Sequence, residues 1–175
     1  AKLAREEFPG EVHVFAPAFK DEDLDELLEI TDHIVFNSER QLRKHGRRCR
    51  AAGISVGLRI NPQCSTQGDH ALYDPCAPGS RFGVTLDKIP SDLLDLVDGL
   101  HFHTLCEQGA DDLETTLKAV EEQFGPFLHE VKWLNMGGGH HITREDYDAD
   151  LLISEIKRIR DTYNLEVYIE PGEAI

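Results

Sequence analysis

The chain has 175 residues, 40% of them hydrophobic and 29% charged, which is ordinary for a globular protein. Its 18 basic and 33 acidic residues give a formal net charge of −15, which argues against a nucleic-acid partner. That charge suits cationic substrates, or is simply a solubilising surface. No apolar run approaches the roughly 18 residues of a membrane span. The four cysteines form no Cys-x-x-Cys pair, so we expect reduced thiols in a cytoplasm.

Strand-like and helix-like segments alternate along the chain. Residues 1–8 already read as a helix with no cap before it, so we expect the natural N-terminus to be absent. The predicted strands are residues 12–16, 33–36, 54–60, 100–103, 131–136 and 166–170. The predicted helices are 21–30, one capped by Asn37 or Ser38 that runs to about 52, one from about 111, and one capped by Thr143. This alternation predicts parallel strands joined by right-handed helical crossovers.

A long connection, residues 63–89, interrupts the alternation. It is rich in Pro, Gly, Asp and Cys, and a short helical piece follows at residues 93–97. Loops of this length without secondary structure are usually functional or disordered. The connection is therefore a candidate functional segment.

Six βα units do not close a barrel of eight, and 175 residues fall short of the roughly 250 typical of that fold. An open doubly wound sheet and part of a barrel both remain compatible with the pattern. In an open sheet, ligand residues gather at one switch point, whereas here four strands, ending near Arg59, His103, Met136 and Glu170, carry functional-looking groups. We therefore predict an α/β fold with about six of the eight units of a (β/α)8 barrel. With two strands missing in front, the glycines follow strand seven and Glu170 closes strand eight.

The triplet Gly137, Gly138 and Gly139 follows a predicted strand directly. Glycines let the backbone approach a ligand closely, and successive N–H groups can cradle a phosphate. The loops after strands seven and eight commonly form the phosphate site of a barrel. A tight turn without a ligand is the alternative explanation.

Two histidines point to the same side of their strand. His103 closes the strand, and strand alternation places His101 beside it. A histidine in this position can stack on a planar cofactor or hold a metal, although a structural role is nearly as probable for His101. Cys106 is within reach of the same strand end, but a cysteine in a loop is usually inert.

Three charged residues are further candidates. Arg59 lies in an apolar strand, where it is costly to bury unless it is paired, so a structural ion pair is one interpretation. Glu170 closes a strand before a Pro-Gly turn and can hold a protonated ring nitrogen, as in enzymes that use pyridoxal phosphate. Glu173 lies on the turn, where a solvated surface charge is the simpler interpretation.

Five motifs resemble the alanine-racemase-like (fold type III) decarboxylases of pyridoxal 5′-phosphate, most closely the carboxynorspermidine/carboxyspermidine decarboxylase branch. They are LRINP (58–62), DPCAPGSRFG (74–83), HFHTLCE (101–107), NMGGG (135–139) and IEPGEA (169–174). The resemblance spans nearly the whole chain. The second and third motifs are specific to this branch, and the glycine triplet is shared more widely.

The resemblance implies a set of cofactor-binding residues: Arg59, His103, Cys106, Gly137, Gly138, Gly139, Glu170 and Gly172. By this likeness the His103 ring stacks on the pyridine ring, and the glycine amides bind the phosphate with Cys106 nearby. Glu170 pairs with the ring nitrogen, and Arg59 lies beneath the cofactor. The implied reaction is decarboxylation of carboxynorspermidine or carboxyspermidine to norspermidine or spermidine in polyamine synthesis, by a homodimer with active sites at its interface.

One departure concerns the substrate. Related amino-acid decarboxylases carry Arg directly after Glu-Pro-Gly, whereas this chain has Glu173. A carboxylate at this position suits a small cationic, polyamine-like substrate. We expect Glu173 to bind a substrate ammonium group.

A second departure concerns the lysine that holds the cofactor covalently in the family. That lysine lies near the end of the first barrel strand, and no lysine of this chain occupies a comparable position. We therefore expect residues 1–175 to be a partial cofactor-binding barrel domain, truncated at both ends and lacking the C-terminal β-domain. Alone, it is expected to be inactive.

Two other functions remain open. A metal-dependent barrel hydrolase would use His101, His103, His140, His141 and Glu170, because neutral imidazoles suit zinc, but this leaves the glycine triplet without a role. A non-catalytic phosphate-ligand-binding domain that has lost its lysine is the other alternative.

Overall fold

Six short parallel strands lie side by side in chain order and form one sheet. The structure is a computed structural model that describes residues 1–68, 74–89 and 91–174. The strands are β1 (His13–Ala16), β2 (His33–Phe36), β3 (Ser55–Arg59), β4 (Gly99–His101), β5 (Trp133–Asn135) and β6 (Glu166–Tyr168). The helices are α1 (Lys2–Glu7), α2 (Asp21–Ile30), α3 (Glu39–Ala51), α4 (Ala110–Leu128) and α5 (Ala149–Tyr163). One-turn 3₁₀ segments lie at Leu86–Lys88, Leu93–Asp95 and Gly172–Ala174.

The sheet is strongly curved. The ring centroids of His13 on β1 and Tyr168 on β6 are 4.8 Å apart, although β2 to β5 lie between these strands in the sheet. A parallel sheet that curls until its first and last strands approach each other is part of a (β/α)8 barrel. The prediction of an α/β fold with six barrel units is therefore confirmed.

The outer face of the sheet is apolar and is covered by the helices. Alternate strand residues point outwards, because successive side chains in a strand lie on opposite faces. The fully buried outer residues are Ile34, Phe36, Val56, Leu58, Leu100 and Leu134. They share one core with the buried stripe of α4, formed by Leu113, Leu117, Val120 and Phe124. Among the described residues, no helix is both long and apolar enough to cross a bilayer.

The inner face is built around one indole ring. Trp133 on β5 is buried, and its Nε1–H donates a hydrogen bond to Ser55 Oγ at 2.8 Å. The indole lies across β4 and β3, where Gly99 and Gly57 leave room for it; a Cβ at either glycine would overlap the ring. A glycine inside a strand weakens that strand, so the space that Trp133 fills explains why two of them are present here.

The start of α5 differs from the prediction. Thr143 is not its N-cap, because the helix begins at Ala149 and Asp148 Oδ1 accepts the Leu151 amide at 2.8 Å. The physical reason is Tyr147, which is buried in the core from a position after the turn, so the helix begins only beyond it with Asp148 as its cap. The predicted cap of α3 is confirmed, since Ser38 Oγ accepts the Gln41 amide at 3.4 Å.

Replacing Gly99 with alanine tests the packing of Trp133. The added Cβ must displace the indole, so we expect Gly99→Ala to lower the free energy of unfolding by about 3 kcal/mol. Urea unfolding measures the change. Gly10→Ala is the matched control, because nothing lies within 4 Å of a Cβ at Gly10. Equal urea midpoints for the two variants would show that Trp133 does not occupy this space.

Candidate active site

Polar side chains gather where β3 to β6 end, on the inner face of the curved sheet. Arg59, His101 and Asn135 are the last residues of β3, β4 and β5, and they are register partners across the sheet. They therefore form a row at one height. His103 lies two residues beyond this row, and Glu170 lies two residues beyond β6. The structure thus brings together four sequence-predicted residues, and it adds Asn135.

The glycine triplet is wedged between the ends of β4 and β6. A Cβ at Gly137 would overlap the Phe102 carbonyl, and a Cβ at Gly138 would lie 2.7 Å from the carbonyl oxygen of Glu170. Gly137 and Gly139 have φ values of 68° and 81°, in the left-handed region that favours glycine. A side chain at any of these three positions would overlap its neighbours, so only backbone groups of this loop can face a ligand.

The loop also has spare hydrogen-bonding capacity. Its carbonyls are used, since Gly137 O accepts from the Glu170 amide at 2.8 Å and Gly139 O from the Gln108 amide at 3.0 Å. Within residues 1–68, 74–89 and 91–174, the Gly139 amide has no protein acceptor. Such an N–H can donate a hydrogen bond to a bound anion.

Asn135 is the functional residue that sequence reasoning missed. Its Nδ2 donates to Glu170 Oε1 at 2.8 Å, and its Oδ1 accepts the Gly137 amide at 2.8 Å. One side chain therefore fixes both the carboxylate and the first glycine of the loop. Strand alternation was the available signal, because Asn135 is the last inward-facing residue before the glycines.

The His103 ring lies against the glycine loop and is half-buried. Its Nδ1 is 3.3 Å from the Gly138 amide nitrogen, which donates to it. Burial, reinforced by the Arg59 charge, lowers the pKa of His103, while Glu170 and Glu173 oppose this shift. The ring is therefore held with its acceptor nitrogen towards the loop.

Arg59 is buried without an acidic partner among the residues that the structure describes. Its guanidinium lies between two aromatic rings, 5.0 Å from the Phe15 centroid and 4.8 Å from that of Phe82, and Nη2 donates to the His103 carbonyl at 2.8 Å. Burial lowers its pKa to about 10. A structural ion pair, one of the two interpretations of Arg59, is not seen; cation–π contacts stabilise the charge instead.

Two asparagines hold the described part of the long connection over this site. Asn37 Nδ2 donates to the Arg81 carbonyl at 2.8 Å, and Asn61 Nδ2 donates to the Phe82 carbonyl at 3.0 Å. These contacts place Phe82 on Arg59. Residues 69–73 and residue 90 lie outside the described residues.

The remaining predicted residues lie at the rim of the site. Cys106 is exposed, and its amide donates to Gln108 Oε1 at 3.3 Å. The Gly172 amide donates to the Glu170 carbonyl at 2.8 Å, which holds the turn, and Glu173 is exposed on the one-turn segment that follows. Gln67, also missed in the sequence, ties this rim to β4 through the Thr104 carbonyl at 2.7 Å.

The metal alternative receives only part of its expected ligand set. Ligand atoms of His101, His103 and Glu170 lie within 4.8 Å of one another. His140 and His141 do not join this group within the described part of the chain; His140 Nε2 instead lies 3.4 Å from the Met136 carbonyl. The expected four-histidine site is therefore not formed.

A second group of possible ligands, Glu11, His13 and His33, lies at the opposite end of the strands. The two imidazole rings are stacked, with centroids 4.0 Å apart and an interplanar angle of 6°. An ion shared by both rings would lie out of both ring planes, away from the nitrogen lone pairs. This stacked pair is therefore a poor metal site as it stands.

The lysines take no part in the site. All seven lie in the described residues, and none bonds to a site residue. Lys132 pairs with Asp98 at 2.9 Å at the N-terminal end of the sheet, away from the site. The site therefore contains a carboxylate, imidazoles and amides, without an amine nucleophile.

No family model matches the chain. Over its whole length it is 42% identical to the carboxynorspermidine/carboxyspermidine decarboxylase of Campylobacter jejuni, covering 45% of that protein. It is 40% identical to the carboxyaminopropylagmatine decarboxylase of Synechocystis, again covering 45%. A crystal structure of the C. jejuni carboxynorspermidine decarboxylase complexed with norspermidine superposes with a TM-score of 0.87 and 40% identity, over 99% of this chain and 44% of that one.

The chain is a homologue of the fold type III decarboxylases. A solved diaminopimelate decarboxylase, at 20% identity and a TM-score of 0.69, shares the fold. The chain spans less than half the length of the curated decarboxylases that it matches. Decarboxylases of this fold type use pyridoxal 5′-phosphate, and one solved structure that shares the fold is complexed with it.

Burial predicts a pH dependence of stability for this decarboxylase homologue. It lowers the pKa of four histidines, His33, His101, His103 and His140, below the ordinary value of 6.5. Below about pH 6.5 the unfolded chain therefore binds protons that the folded chain does not. Stability is complete above that pH and falls as the pH decreases, by up to about 1.4 kcal/mol per pH unit for each histidine that stays neutral.

Urea unfolding of the cofactor-free protein at about pH 7.5 and about pH 5.5 measures this dependence. His101→Phe removes one of the four groups, so its stability should fall less steeply between the two pH values. Identical slopes for the variant and the wild type would contradict a neutral, buried His101.

Proposed function

We propose that the full-length protein uses pyridoxal 5′-phosphate, held at the C-terminal ends of β3 to β6, to decarboxylate a carboxylated polyamine. The single observation that carries this proposal is the Asn135 bridge. One amide side chain orients the Glu170 carboxylate and also pins the first glycine of the Gly137–Gly139 loop. The glycine loop, which we assign to the phosphate, and a fixed acidic group are thereby held as one unit.

The residues present fit the cofactor. The Gly139 amide has no protein acceptor among the described residues, and it suits the phosphate. The half-buried His103 ring suits one face of the pyridine ring. Glu170, whose carboxylate is 40% exposed, suits the ring nitrogen. When bound, the cofactor supplies an electron sink for the electron pair left by the departing carbon dioxide.

Glu170 keeps the ring nitrogen protonated. A carboxylate close to a basic nitrogen favours its charged form. The Asn135 hydrogen bond fixes Oε1, so the carboxylate presents its other oxygen without losing its charge. Arg59 does not compete for this carboxylate, because aromatic rings and the His103 carbonyl already stabilise the guanidinium.

The negative charge at the rim of the site and on the whole chain favours a cationic substrate. Glu173 is exposed on the turn after Glu170, at the rim of the same strand ends, and the whole chain carries −15. An acidic rim attracts polyamines, which are polycations. The relatives named for carboxynorspermidine/carboxyspermidine and for carboxyaminopropylagmatine are 42% and 40% identical to the chain, and all three substrates contain cationic nitrogens. The primary candidates are carboxynorspermidine and carboxyspermidine.

The reaction needs groups from outside residues 1–175. No lysine of the chain bonds to a site residue, so we expect the chain on its own to have no decarboxylase activity. We propose that a homodimer completes the site. Carbon dioxide release by the full-length protein with each of the three carboxylated amines tests the function. No release from any of them, with the cofactor present, would overturn it.

Replacing Glu170 tests the carboxylate that we assign to the ring nitrogen. Glu170→Gln keeps the shape and removes the charge, so kcat of the full-length protein should fall by about 100-fold or more. Glu166→Gln is the matched control on β6, because Glu166 lies at the other end of the strand and accepts from the Tyr168 hydroxyl at 2.8 Å. A Glu170→Gln enzyme with wild-type kcat would contradict the assignment.

Replacing Glu173 tests recognition of the substrate. Glu173→Gln removes an exposed charge, so KM for the cationic substrate should rise by about fivefold at low salt and by less at high salt. The affinity for the cofactor should not change. Glu145→Gln, which removes another exposed carboxylate in the turns before α5, is the control. An unchanged KM at low salt would show that Glu173 does not contact the ammonium group.

A further inference from the structure

His101 is buried without any hydrogen-bond partner. It ends β4 on the inner face, its exposed fraction is 0%, and neither Nδ1 nor Nε2 has a partner among the described residues. An imidazole buried in this way loses the hydrogen bonds that water would have given it, and this destabilises the fold unless the side chain has another task. An apolar residue would fill the same space at lower cost.

The neighbours of the His101 ring include two other rings and one carboxylate. The Phe15 ring lies 4.9 Å from its centroid and the His103 ring lies 6.4 Å from it. A nearby group that can accept a hydrogen bond is the Glu170 carboxylate, whose Oε1 is 3.8 Å from His101 Nε2. Asn135, the register partner of His101 on β5, already donates to this same oxygen at 2.8 Å.

We propose that His101 is a positioning residue for Glu170: its Nε2–H donates to Oε1 beside the Asn135 amide and so directs the other carboxylate oxygen to the ring nitrogen of the cofactor. This inference rests on the proposed function. The 3.8 Å separation closes to a hydrogen bond by a small movement of the exposed carboxylate.

The charge state of His101 suits this task. Burial lowers its pKa well below 6.5, and the neighbouring Arg59 and His103 charges act in the same direction. A neutral imidazole donates a hydrogen bond and leaves the negative charge of Glu170 intact. A protonated imidazole would form an ion pair with Glu170 and would compete with the ring nitrogen for its charge.

Three substitutions of His101 in the full-length protein distinguish the contribution of Nε2 from that of Nδ1. In His101→Gln an amide N–H takes the place of Nε2, in His101→Asn it takes the place of Nδ1, and His101→Phe removes both. His45→Phe is the matched control, because His45 is also a buried histidine beside a carboxylate, Asp21, but lies on α3 outside the sheet. Far-UV circular dichroism checks that each variant is folded.

The first measurement is the Kd of pyridoxal 5′-phosphate for the cofactor-free protein, followed by quenching of tryptophan fluorescence. We expect Kd to rise by about tenfold in His101→Phe and His101→Asn, as for one hydrogen bond to a charged group. His101→Gln should stay near the wild type, and His45→Phe should equal it.

The second measurement is the pH at which the visible absorbance of the bound cofactor changes. With Glu170 misdirected, the ring nitrogen should lose its proton at a lower pH in His101→Phe and His101→Asn. A wild type that binds the cofactor, with all three His101 variants equal to it, would overturn this inference alone. His101→Gln as impaired as His101→Asn would also overturn it, and this comparison holds if the Phe variant does not fold. A wild type that does not bind the cofactor would overturn the proposed function as well.

Discussion

The inner face of the curved sheet imposes the constraint on which the site depends: a polar group buried there loses its hydrogen bonds to water and needs a partner from the protein or from a ligand. The outer face needs no such partners, because apolar strand residues meet apolar helix stripes. On the inner face the Asn135 side chain hydrogen-bonds to both the Glu170 carboxylate and the Gly137 amide, and the Trp133 indole N–H donates to Ser55. The Glu170 carboxylate and the start of the glycine loop are thus held in place by hydrogen bonds to one side chain.

Arg59 and Glu170 carry opposite charges but do not pair, because each is stabilised by other groups. Arg59 is accommodated by two aromatic rings and a carbonyl, so it does not neutralise the carboxylate nearby. Glu170 in turn has a neutral amide and a neutral imidazole as its near partners. A carboxylate whose near partners are neutral keeps its charge for a cation that enters from outside. Under the proposed function, that cation would be the protonated ring of the cofactor.

Much of the fold could be predicted from the sequence, because apolar periodicity and cap residues are local signals. The boundaries of α2 at Asp21 and Ile30 follow from the acidic first turn and the leucine spacing. The prediction of Thr143 as the cap of α5 was wrong, because the burial of Tyr147 is a tertiary contact that overrides the local signal. The motifs placed Glu170 and the glycines at neighbouring strand ends. Strand alternation places Asn135 on the inner face, but Asn135 and Gln67 act through partners distant in sequence, and no local pattern identifies those partners.

Trp133 is the one tryptophan of the chain, and it lies on the inner face of the sheet over the two glycine gaps. All indole emission of these 175 residues therefore comes from a single place, next to the His33 and Tyr168 rings and below the row of site residues. A chromophore that is bound at the strand ends and absorbs indole emission would quench this one ring. The residue that fills the two glycine gaps therefore also provides the chain with a built-in optical reporter of what the barrel contains.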